Sequence, residues 1–524
     1  MNNHCEAIDR LYVDVLLEQL NTRSNRTVLR YRHTDITGDN LRRAIFRYAR
    51  ALESLGIGRG SVVALLAANC PDALAIRYAA NTLGSTTIFL PALGSAERQK
   101  VLIDRISPTL LVVFAETAHL VANGCSARVV SVGTGADASR IDKFAQVCSD
   151  QPLQPRAMPD DVAVLVSSGG TTGVPKCSRR SFAGYTAMVK PGKADDRRQL
   201  INGPLAYISQ VLVDSTLTSG GTVVLEDHYD AAGTLAAIES ERITDVLLIE
   251  PQLFETMDHP DARWRDLSSL RSIAHVGGSA PPTLRQRAIE RFGPVLTHLY
   301  GASEAGIVSV VAPPRYAENA TQATSAGRIV DGVEVRVRRA DGLLAGKGEV
   351  GSIEVRSPFV AQGYYNQPDE ASRKFRNGCC MTGDVGFVDE KGYLHVLGRA
   401  PDVVIDRDMA IGPTTIEEIL CRLPDVRYAT AFASNHASAG RTWIAVVEPW
   451  KGRRVNLAQC EGALEAALGT SVSNQVRIVP MDRVPQTEQG KVNRARIEAA
   501  LLAGGDVPGP ASNPSARYAD VISS

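Results

Sequence analysis

Short apolar runs alternate with stretches whose apolar residues recur every three or four positions, and this rhythm holds to about residue 330. Thr37 precedes Leu41, Ile45, Tyr48 and Leu52, which share one helical face, and Gly56 follows. That spacing predicts a capped helix. Ser61-Val62-Val63-Ala64-Leu65-Leu66 reads as a strand, and Pro71 begins another helical stretch. Further strand-like runs are Leu111-Val112-Val113, Val162–Val166, Val223-Val224-Leu225 and Val246–Ile249. Strands spaced by amphipathic helices predict βα units and largely parallel sheets.

The texture then changes to strand–turn–strand. Val333–Val337, Asp341-Gly342 and Gly351–Val355 are followed by Asp389-Glu390-Lys391-Gly392 before Tyr393–Leu397. Turn residues between period-two runs predict antiparallel hairpins. From about residue 400 a smaller α+β unit is expected, with a helix near Ile416–Leu423 and strands at Ala429–Ala433 and Ile444–Val447. Gly504 to Ser524 is rich in Gly, Pro, Ser and Asn and reads as a loose tail.

A chain of 524 residues exceeds one ordinary core, so two or more domains are expected. Basic and acidic side chains balance at 57 each, which implies no general attraction to nucleic acid or to an acidic membrane. The N-terminus lacks the basic and apolar regions of a signal peptide, and no apolar run approaches the roughly 20 residues of a membrane helix. Nine cysteines, scattered and odd in number, read as reduced thiols rather than a disulfide framework or a zinc site. A cytoplasmic location is the expectation.

Candidate chemistry begins directly after Val162–Val166. There the chain reads Ser167-Ser168-Gly169-Gly170-Thr171-Thr172-Gly173-Val174-Pro175-Lys176. Glycines let backbone N–H groups turn toward an anion, hydroxyls add donors, and lysine adds charge. By itself the segment also reads as a surface turn. It is not the usual nucleotide loop, because Lys176 follows Pro175 rather than glycine. Gly133-Thr134-Gly135-Ala136-Asp137-Ala138 matches a dinucleotide fingerprint but lacks a clear following helix, and reads as a connecting loop.

Four later segments give the loop partners. Tyr300-Gly301-Ala302-Ser303-Glu304 sets an aromatic, a hydroxyl and a carboxylate beside glycine. These types can cover a purine, bond a phosphate oxygen and hold Mg²⁺. Asp384 in Met381-Thr382-Gly383-Asp384 can accept from ribose hydroxyls, and Arg399 after Gly398 suits ribose or phosphate. Pro485-Gln486-Thr487-Glu488-Gln489-Gly490-Lys491 sets one lysine on a turn before a helical stretch. Singly, Asp384 and Arg399 also suit a turn or a surface, and Lys491 a solvated site.

Together and in this order they resemble the adenylate-forming superfamily of acyl-CoA synthetases, aryl-acid ligases, peptide-synthetase adenylation domains and luciferases. The resemblance runs from the Thr37–Gly56 helix to Lys491 and is closest in texture to the aryl-acid branch. It implies an α/β fold, with a large N-terminal domain (1–399) of two βα subdomains plus a distorted β-barrel. A small mobile α+β C-terminal domain (400–502) carrying Lys491 follows, then a loose tail (503–524). It also implies the chemistry: a carboxylic acid attacks the α-phosphate of ATP, giving acyl-AMP and pyrophosphate.

By that likeness Ser168, Gly169, Gly170, Thr171, Thr172, Gly173 and Lys176 wrap the departing phosphates. Ser303 touches the α-phosphate, Glu304 binds Mg²⁺, and Tyr300 flanks the adenine. Gly278 and Gly301 belong to the nucleotide site, Asp384 and Arg399 hold the ribose, and Lys491 bridges carboxylate and α-phosphate. The acid pocket draws on Pro204–Ser209, with Tyr207 and Ile208, on His275–Ser279, with Gly277 and Ser279, and on Ala302. Ile208 stands where 2-hydroxybenzoate enzymes carry a hydrogen-bonding residue, which argues against an ortho-hydroxylated acid.

The chain departs from the family at the expected hinge. Arg399-Ala400 is followed by Pro401 rather than a charged hinge residue, and proline fixes φ. Asp406-Arg407-Asp408-Met409 replaces a glycine pair where a pantetheine arm approaches backbone. These departures lean toward an amine as acyl acceptor. CoA or a carrier protein is the alternative, and a catalytically dead acyl-AMP-binding homologue a further one.

Overall fold

A computed structural model describes residues 10–121, 125–135, 139–167, 174–189, 194–206, 208–313, 324–406, 409–434, 443–487 and 490–502. Ser168–Gly173, Tyr207, Arg407, Asp408 and the 503–524 tail lie outside the described residues.

The first predicted helix is Gly38–Ser54, capped as the pattern implies: Thr37 Oγ1 accepts the Asn40 amide at 3.2 Å. Leu41, Ile45, Tyr48 and Leu52 are buried along it, and Gly56 follows at φ +82°. Pro71–Thr82 likewise starts on its proline.

The βα alternation resolves into two sheets. One has six strands in the order Arg128–Val132, Leu110–Phe114, Val62–Leu66, Thr86–Phe89, Val162–Ser167 and Cys177–Ser181. It is parallel except for the last pair. Gly133–Gly135, the described part of the fingerprint-like segment, follows the edge strand of this sheet, whereas a dinucleotide fingerprint belongs at a switch point in strand order; residues 136–138 lie outside the described residues. Helix Ile141–Val147 follows shortly after, where the sequence offers no clear one.

The other sheet has 14 strands. Its parallel part ends Asp245–Ile249, Ser272–Val276, Leu296–Ala302. Hydrogen bonding then continues without a break into antiparallel Gly306–Val311 and on through Gly327–Ile329 to the hairpin Cys379–Val388/Tyr393–Arg399. The predicted βα and strand–turn–strand regions therefore share one hydrogen-bonded surface.

The smaller C-terminal domain carries a three-stranded sheet, Val426–Ala433, Trp443–Pro449 and Val476–Pro480, with helices Pro413–Cys421 and Leu457–Leu468. Tyr428, Phe432, Ile444 and Val446 form one apolar cluster with Leu253, Phe254, Met257 and Leu284 of the large domain. Apolar burial thus holds the two domains together. Among the described residues no helix is long and apolar enough to cross a membrane.

Candidate active site

A cavity of about 530 Å³ opens at the carboxyl ends of the parallel strands Asp245–Ile249, Ser272–Val276 and Leu296–Ala302. Ligands of open α/β sheets bind at such an edge. Its long wall is apolar, with Met188, Ile208, Leu247 and Ile307 on it; Gly277, Tyr300–Ser303 and Lys491 also line it.

Lys491 comes from the small domain. Its strand-like turn is pinned by the Thr487 amide donating to the Lys491 carbonyl at 2.6 Å and by Gly490 donating to Thr487 O at 2.8 Å. Gly490 has φ +79°, and a Cβ there would lie 2.6 Å from Ile249 Cδ1. Glycine at 277 (φ +87°) leaves room for the lysine, since a Cβ would come within 3.3 Å of Lys491 Cε. Burial lowers the lysine's pKa and nearby Arg399 lowers it further, against the pull of Glu304.

Asp384 and Arg399 face each other directly across their hairpin, with Arg399 Nε 3.1 Å from Asp384 Oδ1. Tyr300 donates its hydroxyl to Asp384 Oδ2 at 2.6 Å, and Arg399 Nη1 donates to Thr382 O at 3.1 Å. One unit therefore joins three of the residues singled out from sequence. Glu304 is buried and accepts from Ser303 Oγ at 2.8 Å and from the Tyr364 hydroxyl at 2.7 Å. Burial would push its carboxyl up, but Lys374 and these two donors outweigh it and hold the group below its ordinary pKa.

Other expected residues sit elsewhere. Lys176 is ion-paired with Glu370, and its Nζ lies 5.5 Å over the Tyr364 ring, so it is tied to the tyrosine that holds Glu304. In the His275–Ser279 stretch, Val276 and Gly277 line the cavity, whereas Gly278 and Ser279 do not. A Cβ at Gly278 would lie 2.2 Å from Glu250 Oε2, so this glycine makes room for a buried carboxylate. Ser279 donates its hydroxyl to Glu417 of the small domain. His275 is buried against His298, with 2.9 Å between their Nδ1 atoms, and burial pushes its pKa down to about 3.

Glu250 and Glu417 are functional candidates that sequence reasoning missed. Glu250 accepts the Ala280 amide at 2.6 Å and reaches across the interface to the Tyr428 hydroxyl at 3.1 Å. Glu417 reaches the other way, to Ser279, and accepts the Ala431 amide at 2.8 Å. The available signal was a carboxylate placed directly after the apolar run Val246–Ile249, at the start of helix Glu250–Asp258. Burial, reinforced by the Glu250 charge, pushes the Glu417 carboxyl up to about 7. A carboxyl whose pKa is higher in the folded protein than in the unfolded chain takes up a proton on folding, so its contribution to stability is fully present below pH 4.5 and is lost as pH rises to about 7. Thermal melts across that window should lose stability with rising pH in the wild type. E417Q should flatten the dependence there; an unchanged pH profile would count against a titrating Glu417.

The profile of AMP-binding enzymes matches residues 16–365 of this chain. The chain belongs to the AMP-binding enzyme family. It is 30% identical over 520 residues to the medium/long-chain-fatty-acid–CoA ligase FadD8 of Mycobacterium tuberculosis (strain ATCC 25618 / H37Rv), covering 94% of this chain and 90% of that protein. It is also 30% identical to a feruloyl-CoA synthase of Amycolatopsis sp, over 90% of this chain and 95% of that protein. Among solved structures it resembles the amide bond synthetase McbA from Marinactinospora thermotolerans, with a TM-score of 0.83 and 28% identity. That likeness covers 93% of this chain and 99% of McbA. As an AMP-binding family member the protein is an adenylate-forming ligase.

Proposed function

We propose that this ligase adenylates a carboxylic acid with an apolar body, an aryl acid favoured, and transfers the acyl group to an amine. The acid lies along the apolar wall of the cavity, with its carboxylate toward Lys491 and Ser303. Carboxylate and triphosphate repel, and the transition state spreads negative charge over phosphoryl oxygens, so positioning and positive charge carry the catalysis. Lys491 bridges the carboxylate and the α-phosphate, and Ser303 donates to the α-phosphate. Tyr300, with Gly301 and Ala302, packs the adenine and acid side, while Asp384 and Arg399 hold the ribose. Lys176 and the Ser168–Gly173 loop hold the leaving pyrophosphate, which requires Lys176 to exchange Glu370 for phosphate.

Among the described residues no cluster of three or more acidic, histidine or cysteine side chains could hold a metal alone. A single ionised carboxylate, Glu304, suits Mg²⁺, which takes its other ligands from phosphates and water. Glu304 would hold the ion there, and the ion would neutralise developing phosphate charge.

The amine reading rests on one observation, the linker. Arg399 is fastened to the large domain through Asp384 and Thr382. Asp402 is fastened to the small domain, accepting the Ala433 amide at 2.9 Å, Arg494 Nη1 at 2.8 Å and, on its carbonyl, the Trp443 indole at 3.1 Å. Ala400 and Pro401 alone lie between these anchors, and Pro401 cannot change φ. An amine that enters the docked site needs no domain rotation. The likeness to McbA, named an amide bond synthetase, supports this reading. The thioester reading is supported by the CoA ligases among the relatives.

Single-turnover transfer from preformed acyl-AMP, after acid-dependent pyrophosphate exchange has identified the acid, tests the choice. Amines should be acylated at least about tenfold faster than CoA, and P401G should raise the CoA rate. Equal or faster transfer to CoA by the wild type overturns the amine reading.

A further inference from the structure

Strand Cys177–Ser181 leaves the glycine–threonine loop and pairs antiparallel with Val162–Ser167, the strand that enters it. Ser178 and Arg180 are two residues apart on it and so share one face. Both reach the same atom. Ser178 Oγ lies 3.2 Å from the Ser303 carbonyl oxygen, and Arg180 Nη2 donates to that oxygen at 2.6 Å. Arg180 Nη1 donates to the Phe359 carbonyl.

Arg180 is 3% exposed, and among the described residues no carboxylate bonds its guanidinium. Burying a guanidinium whose hydrogen bonds go to carbonyls is costly, and the Glu304 charge nearby offsets only part of that, so packing alone does not account for arginine here. What its fork joins does. The Ser303 carbonyl begins the Ser303–Glu304 turn. Phe359 packs on the far side of that turn, where a Cβ on Gly306 would lie 2.7 Å from Phe359 Cβ. Two residues beyond Phe359, the Ala361 amide donates to Glu304 O at 2.8 Å, and Tyr364 then holds the Glu304 carboxylate.

We propose that Arg180 is a positioning residue for adenylation, setting the spacing between the stem of the glycine–threonine loop and the Ser303–Glu304 turn. The inference rests on the reading of that loop, Ser303 and Glu304 as the groups around the triphosphate. A guanidinium fixes two carbonyls at once through its planar fork, which a lysine ammonium cannot do. Misplacement of a phosphate-side group by about 1 Å costs on the order of a hundredfold in rate.

The test uses the full chain and acid-dependent ATP–pyrophosphate exchange. R180K and R180A should each lose about a hundredfold in kcat, with the KM for the acid within about twofold of wild type. Millimolar guanidinium ion should restore part of the R180A rate and leave K491A unchanged. Wild-type kcat in R180K, a loss confined to the acid KM, or a loss matching the unfolded fraction in a melt overturns the proposal. If R180A does not fold, R180K decides alone. A wild type with no exchange on any acid overturns the adenylation reading itself.

Discussion

Replacing Lys491 with alanine is expected to lower acid-dependent pyrophosphate exchange by about two to three powers of ten, the usual effect of removing one donor aimed at developing charge. The expectation has a structural basis besides the motif. Lys491 lines the cavity beside Gly277, in a docked arrangement that two positive-φ glycines, Gly277 and Gly490, make sterically possible. Burial and Arg399 both disfavour its charge, against the pull of Glu304, so an anion entering the cavity would favour the charged form. The lysine is therefore poised for a negatively charged ligand rather than for stability, and K491A should melt at or above the wild-type temperature. Measuring exchange and melting on one preparation separates the outcomes. Retained exchange in K491A would remove the lysine from the reaction, and a collapsed melt would make it structural. K176A should lose less, because the proposed role of Lys176 is on the leaving group and the lysine already has Glu370 as a partner.

Much of this site was legible because its residues are encoded locally. Tyr300 to Glu304 are contiguous, Asp384 and Arg399 close one hairpin, and the Asp389–Gly392 turn announces that hairpin. Helix starts at Thr37 and Pro71 were readable for the same reason. What the sequence leaves unread depends on distant partners. The family resemblance puts Gly278 at the nucleotide site and Ser279 in the acid pocket. Their side of the turn instead meets Glu250 and Glu417, from segments far away in the chain. Nothing local announces the partner of Lys176, since Glu370 is 194 residues away. Nor does any local signal say that the parallel strands and the later hairpins join into one sheet, since strand neighbours are set by packing of whole layers.

Asp214 shows how a catalytically silent residue can dominate stability. It lies inside helix Ile208–Thr218. The fold buries it completely and gives all its acceptor positions a donor. Arg77 Nη1 and the Tyr78 hydroxyl reach Oδ1 at 2.8 and 2.5 Å, while Arg77 Nη2 and the Tyr185 hydroxyl reach Oδ2 at 2.7 and 2.6 Å. Replacing Asp214 by asparagine leaves the Arg77 charge buried without a counter-charge, which typically costs about 3–5 kcal/mol. A lowered urea midpoint of the N-terminal domain should report it. Since Tyr185 also lines the cavity, acid KM should rise in any D214N that still folds. The double variant Arg77→Met/Asp214→Leu removes both charges and should recover most of the lost stability, because well-packed apolar pairs commonly match a buried ion pair. If D214N melts like the wild type, the network is dispensable. If the double variant is as unstable as D214N, the loss lies in the tyrosine hydroxyls left without an acceptor rather than in the unpaired arginine.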